Sequence, residues 1–295
     1  MLRHNDLRHG HDGKHKMTVS SISPKTFALY MLNNGFLSGI AYLALLLGNQ
    51  YGYMGILIGW TFRSLFLCWW LTHGAPALGI VHRMYPVSSS DEEPLLPQIL
   101  IMIRGGALES LLIYMVCHWE GIRAGSQDEA ASFLLQFATF IPKSFIWELI
   151  FDFGHYWTHR ACHANMTLYK YVHWDHHQHE KPGALSSFRV SIPELLFSIL
   201  LPAAVAFCLC FQRFTLFQLH LIFTFKTAVE IGGHSAIEGD DLFSFPQAGP
   251  LLREICLGPG DHDLHHRQRQ FNFSKRFRLW DMIFGTFKEP KSKAV

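Results

Sequence analysis

The sequence predicts an all-α fold: an integral membrane helical bundle of about four transmembrane helices plus a re-entrant or interfacial hairpin, topped by a histidine-rich cap on the cytosolic side. Three observations point that way. Hydrophobic residues make up 49% of the chain and charged residues only 16%. The apolar residues are gathered into blocks long enough to cross about 30 Å of hydrocarbon as helices. The histidines outside the first residues cluster beside those blocks.

Residues 1–25 read as a polar tail, with Arg3, Arg8, Lys14, Lys16 and four histidines but no continuous apolar stretch. No cleavable signal peptide is expected. Residues 26–151 hold the transmembrane hairpins. The stretch 27–48 carries no charge and 52–72 carries only Arg63, with Asn49, Gln50 and Tyr51 as the turn between them. A second pair, 98–119 and 131–151, is interrupted by Arg104, Glu109, Lys143 and Glu148, near positions where helix ends or neighbouring helices can accommodate charge. Residues 152–287 form the histidine-box region. It includes a membrane hairpin at 191–230, containing Pro202 and Lys226, that is expected to dip in without fully crossing. Basic flanks place the amino terminus in the cytosol, and two hairpins return the chain there at His155, so every box faces the cytosol. In the tail 288–295, Lys291, Ser292, Lys293, Ala294 and Val295 resemble a di-lysine signal for retrieval to the endoplasmic reticulum.

Six cysteines lie mostly in apolar segments without a CxxC pair, which favours buried thiols over a disulfide framework. A formal net charge of +2 gives no reason to expect a nucleic-acid partner. Nothing in the sequence sets an oligomeric state.

The histidine spacing is the informative motif. His155 and His159 form HxxxH; His173, His176 and His177 form HxxHH; His262, His265 and His266 form HxxHH again. With histidine at about 6% of positions, one HxxHH arises by chance in somewhat under about one such chain in ten, and two in well under about one in a hundred. On a helix, positions i, i+3 and i+4 share a face, so each HxxHH is expected to aim three imidazoles at one centre. Eight converging rings exceed the four that a structural zinc takes, so the cap is expected to hold two metal ions, with iron the natural choice where oxygen is activated. HExxH, paired CxxC and ExxH motifs are absent, which excludes the metalloprotease, zinc-finger and soluble carboxylate-bridged di-iron patterns.

Further candidates surround the boxes. His234 stands where the third apolar block returns to the cytosol and is expected to be another ligand. His163 lies one turn beyond His159 on the same face, as a ligand or as the partner of one, and His179 reads as polar surface. Glu230 shares a face with His234 if Gly232 and Gly233 stay helical, where it would ligate metal or orient an imidazole; a plain polar helix end is the reading slightly ahead of these. Asp152, Asp175, Asp261 and Asp263 adjoin the boxes and are candidates to fix imidazole tautomers, with Asp152 and Asp261 also weighed as ligands.

The boxes, in this order and spacing, are similar to those of the fatty acid hydroxylase and sterol desaturase superfamily. Tyr156, Trp157, Thr158, His159, Arg160 and His163 resemble its first box, and Asp261 to His266 its third. The stretch from Asn272 to Phe277 and the run Trp280, Asp281, Met282, Ile283, Phe284, Gly285, Thr286 resemble its closing segment. The likeness covers about residues 141–287, and the earlier hairpins match in topology alone. It implies two iron ions, dioxygen as co-substrate, and electrons from NADPH or NADH through a b-type cytochrome and its reductase. A membrane lipid would be the substrate, hydroxylated or desaturated. No haem domain is expected in this chain, since the 23 or so residues before the first span are too few to fold one. Sterols come ahead of fatty acyl chains because the chain is short and lacks a fused cytochrome, although Ser235, Ala236, Ile237 and Glu238 after His234 depart from the sterol methyl oxidase run. Two other readings stand beside this one: a relative that converts ether lipids or fatty aldehydes, and, from a different class, a histidine-rich membrane metal transporter or non-catalytic scaffold.

Overall fold

The computed structural model describes residues 24–85, 93–238 and 255–290. The polar tail before Pro24 and the di-lysine motif at 291–295 lie outside the described residues. Among the described residues four stretches are long and apolar enough to cross a membrane: Phe27–Ala77, Leu95–His118, Phe133–Ala164 and Ile192–Leu209. The chain is an all-helical membrane protein.

The first stretch is built on α1 (Pro24–Trp69), which reverses direction at Gly52, where φ is 57° and ψ −136°. Only glycine takes that conformation without a steric cost, so the turn falls just after the expected Asn49–Tyr51. The two limbs then run antiparallel. Phe36 on one meets Phe66 and Trp70 on the other, with ring centroids 5.7 and 6.3 Å apart. Near the turn the backbones touch: a Cβ on Gly55 would stand 1.9 Å from the Leu47 carbonyl oxygen. Small residues at such seams let helices approach closely in lipid, where apolar surface gains nothing from leaving water.

The remaining long helices are α2 (Leu95–His118), α3 (Phe133–Ala164), α4 (Ile192–Leu209) and α5 (Leu216–His234). α5 is the axis of the bundle, and nearly every residue from Phe217 to His234 is buried. Thr215 starts it by accepting from the Gln218 amide, while the Gln218 side chain accepts from the Thr215 amide. Its charges are answered by the helices around it. Lys226 Nζ lies 2.8 Å from Glu230 and 3.2 Å from Glu109 of α2, and Arg63 of α1 donates to Thr224 and Thr227. Glu148 of α3 accepts from Arg276 at 2.8 Å. Of the charges that interrupt the apolar blocks, Glu109 meets Lys226 and Glu148 meets Arg276 inside the bundle, while Arg104 donates to the Val190 carbonyl and Lys143 to that of Arg213.

α3 extends past the expected end of its span and carries His155, His159 and His163 out of the bundle. Beyond it lie the second box, then α6 (Pro259–Arg267) with the third box, and the short α7 (Arg278–Ile283). A two-residue strand pair, β1 (His82–Arg83) with β2 (Ile237–Glu238), ties the segment after α1 to the end of α5. Two buried carboxylates pin the closing loop. Asp152 accepts from the amides of Lys275, Arg276 and Phe277, and Asp281 from those of Phe273 and Ser274.

The seam at Gly55 yields a paired prediction. Gly55→Val forces the limbs of α1 apart and costs about 1–3 kcal/mol, visible as a lower thermal midpoint in detergent. Gly35→Val, at a site with nothing within 4 Å of the new Cβ, leaves the midpoint unchanged.

Candidate metal centre

Nine of the described histidines sort into two groups. In the first, one ring nitrogen each from His159, His163, His173, His177 and His265 lies within 4.8 Å of the others; in the second, the same holds for His176, His234, His262 and His266. Each HxxHH is divided between them. His173 and His177 go to the first group and His176 to the second, while His262 and His266 go to the second and His265 to the first. The expectation that one box serves one centre is thus corrected. On α6 the reason is angular: residues four apart differ by about 40° around the axis, but residue i+3 points about 100° from i+4.

The second box is not α-helical. Tyr169–His173 forms a wider π turn and His176–Gln178 a tighter 3-10 turn, with His177 at φ −91°, ψ 16° between helical neighbours. The same division of rings arises from this irregular backbone.

Five of these nine rings are fixed through their far nitrogen. His159 Nδ1 donates to Phe273 O at 2.8 Å, His265 Nδ1 to Phe271 O at 2.7 Å, His234 Nδ1 to Glu230 O at 2.9 Å and His266 Nδ1 to His179 O at 3.2 Å. His173 Nδ1 donates to the Glu194 carboxylate at 2.8 Å. A carbonyl or carboxylate oxygen can only accept, so in these rings Nδ1 carries the proton and Nε2 presents a bare lone pair. Yet the Nε2 atoms face each other. His159 and His173 are 3.1 Å apart, His177 stands 3.1 Å from His265 and 3.2 Å from His163, and His262 stands 3.1 Å from His234 and 3.2 Å from His266. In the His159–His173 pair both Nδ1 atoms are committed as donors, so two lone pairs face each other at 3.1 Å and repel unless a cation lies between them. Imidazole nitrogens bound at about 2.0–2.1 Å to one first-row metal stand roughly 3.0–3.4 Å apart, so the donor sets fit one metal ion per group.

The structure places the other sequence-predicted residues as follows. His155, taken as a ligand with His159, lies outside both groups. It sits one turn deeper on α3 and its Nδ1 donates to Ser198 O at 2.7 Å. His163 is in the first group. Glu230 meets Lys226 and Lys275 in ion pairs, and its carbonyl, not its carboxylate, holds His234. Asp152 serves the loop amides; Asp261 accepts from the Gly258 amide and Arg278; Asp263 accepts from Tyr85 and Arg267; and Asp175 accepts from Gln178. His179 is buried rather than surface, with its ring 3.3 Å from Glu93. The group that sequence reasoning missed is Glu194, and its signal was a single acidic residue at the start of an otherwise apolar block.

Burial, and secondarily the neighbouring imidazoles, holds His176, His177, His262 and His266 well below the ordinary histidine range, and burial pushes His265 down to about 3. All are neutral, the form that binds metal. A cavity of about 30 Å³ adjoins the second group, lined by Val229, Gly233, His234, Leu257, His262 and Lys275 among others. It is sized for one or two small molecules rather than a lipid.

Residues 144–286 match the fatty acid hydroxylase family model, a span that contains both groups. This match supports the fatty acid hydroxylase and sterol desaturase superfamily as the one that the chain resembles. The chain is 31% identical over 159 residues to a methylsterol monooxygenase of Aspergillus fumigatus, covering 52% of this chain and 50% of that one. It is 30% identical over 189 residues to the Delta(7)-sterol-C5(6)-desaturase of Nicotiana tabacum, covering 62% of each. It is 31% identical over 152 residues to a very-long-chain aldehyde decarbonylase of Oryza sativa subsp. indica, covering 49% of this chain and 52% of that one. The chain thus spans about half to three-fifths of the length of these superfamily members. No solved structure matches.

The depressed imidazoles make stability depend on pH in a defined direction. Between the unfolded value near 6.5 and the lower folded values, the unfolded chain binds protons that the folded chain does not, so metal-free protein loses stability as pH falls below about 6.5. Each such ring adds up to about 1.4 kcal/mol per pH unit. Thermal unfolding of chelator-treated protein from pH 7 to pH 5 is expected to show this fall, and the double variant His176→Ala, His177→Ala a shallower one.

Proposed function

We propose that this chain is a membrane-bound, non-haem di-iron oxygenase that uses dioxygen to hydroxylate or desaturate a lipid, with a sterol-type substrate ahead of a fatty acyl one. The observation that carries the reading is the pair of imidazole groups whose Nε2 atoms converge at 3.1–3.2 Å, with both partners bare in the His159–His173 pair. The chemistry that bound iron supplies is the reductive activation of dioxygen for attack on an unactivated C–H bond. For hydroxylation the balance is one lipid C–H, one dioxygen, two electrons and two protons giving one alcohol and one water; for desaturation, two C–H bonds on adjacent carbons, one dioxygen, two electrons and two protons give one alkene and two waters.

The residues of this chain supply the setting. Carbonyls from Phe271, Phe273, His179 and Glu230, with the Glu194 carboxylate, hold the rings so that no reorganisation is needed when metal binds. Burial of His173, His177 and His265, each no more than 2% exposed, keeps bulk water from the first group. The cavity beside His234 and His262 gives dioxygen a seat at the second group. Lipid reaches the centre from the bilayer, since α3 carries the first box directly out of a membrane-spanning helix.

A sterol-type substrate is supported by the monooxygenase and desaturase relatives, both sterol enzymes by name. The decarbonylase relative keeps conversion of fatty aldehydes as the second reading. Electrons would come from NADPH or NADH through a separate b-type cytochrome and its reductase, and the protein would sit in the endoplasmic reticulum with its boxes facing the cytosol.

Lipid profiles of cells with and without the gene name the substrate. His176→Ala and His265→Ala, each removing a ring from a different group, are expected to bring product below detection while the protein stays in the membrane. Near-normal turnover in either variant with a full metal complement sinks the shared centre. Freely exchangeable metal without oxygen uptake instead favours a transporter.

A further inference from the structure

The partner on the far nitrogen of a metal-bound imidazole sets both its orientation and its strength as a donor. In the second group these partners are peptide carbonyls: Glu230 O for His234 and His179 O for His266. In the first group His159 and His265 likewise meet carbonyls, but His173 meets a carboxylate, Glu194 Oε1, at 2.8 Å.

Glu194 is held there by construction. It lies in the first turn of α4, whose start is fixed by Ser191: Ser191 Oγ accepts from the Glu194 amide at 3.1 Å and donates to Val172 O at 2.5 Å. Val172 precedes His173, so one hydroxyl locks the carboxylate and the imidazole into a single unit. The Glu194 side chain is 6% exposed, and its second oxygen, Oε2, is buried with no hydrogen-bond partner among the described residues. A buried carboxylate with one contact is costly unless that contact carries positive charge. A ring polarised by a bound cation supplies it.

We propose that Glu194 makes the two metal centres unequal: acting through His173, it anchors the ion of the first group, so that this ion is held more tightly than the ion beside the cavity. The inference rests on the reading that each group holds one metal ion. Glu194 is a positioning residue, and its effect is read in metal retention rather than in turnover alone. Neutralising it weakens one centre and leaves the other.

The test uses the full chain purified in detergent, loaded anaerobically with ferrous iron and challenged with a ferrous chelator. Wild-type protein is expected to release two ions in two phases. Glu194→Gln, which keeps an acceptor but removes the charge, is expected to speed the slower phase about 10–100-fold and leave the faster one unchanged. Ser191→Ala, which loosens the clamp with the carboxylate intact, moves the same phase by less. Acceleration of both phases alike, or of neither, in Glu194→Gln overturns the proposal. Should that variant not accumulate in the membrane, an unchanged slow phase in Ser191→Ala does so. A wild-type protein that binds fewer than two ions overturns the di-metal reading, and this inference with it.

Discussion

Two neutral imidazoles pointing lone pairs at one another across 3.1 Å are an arrangement that a protein does not reach by default. Here the far nitrogens of His159 and His173 are both committed as donors, to Phe273 O and to Glu194, so the near nitrogens have no proton to share. The repulsion has to be overcome by the rest of the fold, and most of the features around the cap do that work. The carbonyls of Phe271 and Phe273 are in place because the loop behind them is pinned by Asp152 and Asp281. Asn272, at φ 57° between those two carbonyls, is held by its side-chain bonds to Asp261 O and Lys288 O. The metal supplies afterwards the attraction for which the rings were arranged.

The membrane part serves the same end. α5 delivers His234 and also carries Lys226 and Glu230, two charges that hydrocarbon would not tolerate alone. Ion pairs to Glu109 on α2 and to Lys275 on the closing loop bind the axis of the bundle to both neighbouring layers. Removing a single member leaves an uncompensated buried charge, a far larger penalty than the pair's net contribution. The ionic cluster is thus better understood as a device for fixing where α5 ends than as a source of stability.

Much of this was legible in the sequence, in proportion to how local the signal is. Block hydropathy found the long helices, and histidine spacing found the boxes. Spacing could not separate His155 from His163, because both stand four residues from His159. Only the tertiary position of Ser198 O, which takes the deeper ring, and of His177, which meets the shallower one, tells them apart. The acidic neighbours of the boxes misled for a related reason: Asp152 and Asp261 are close in sequence to the imidazoles yet bond to backbone and arginine. The oxygens that orient the rings are mostly main-chain carbonyls, which no side-chain pattern can announce. Glu194 was distant in sequence from its ring and was brought to it by the Ser191 clamp.

The reciprocal sharing of the second and third boxes has a consequence for how such a protein can change over generations. Neither ion belongs to any one stretch of chain: replacing residues 173–177 or 262–266 removes donors from both groups at once. Loss of either of those two boxes therefore dismantles both groups, and neither group can be rebuilt by borrowing one such box from elsewhere. Through these two boxes the two groups of rings are inherited as a unit.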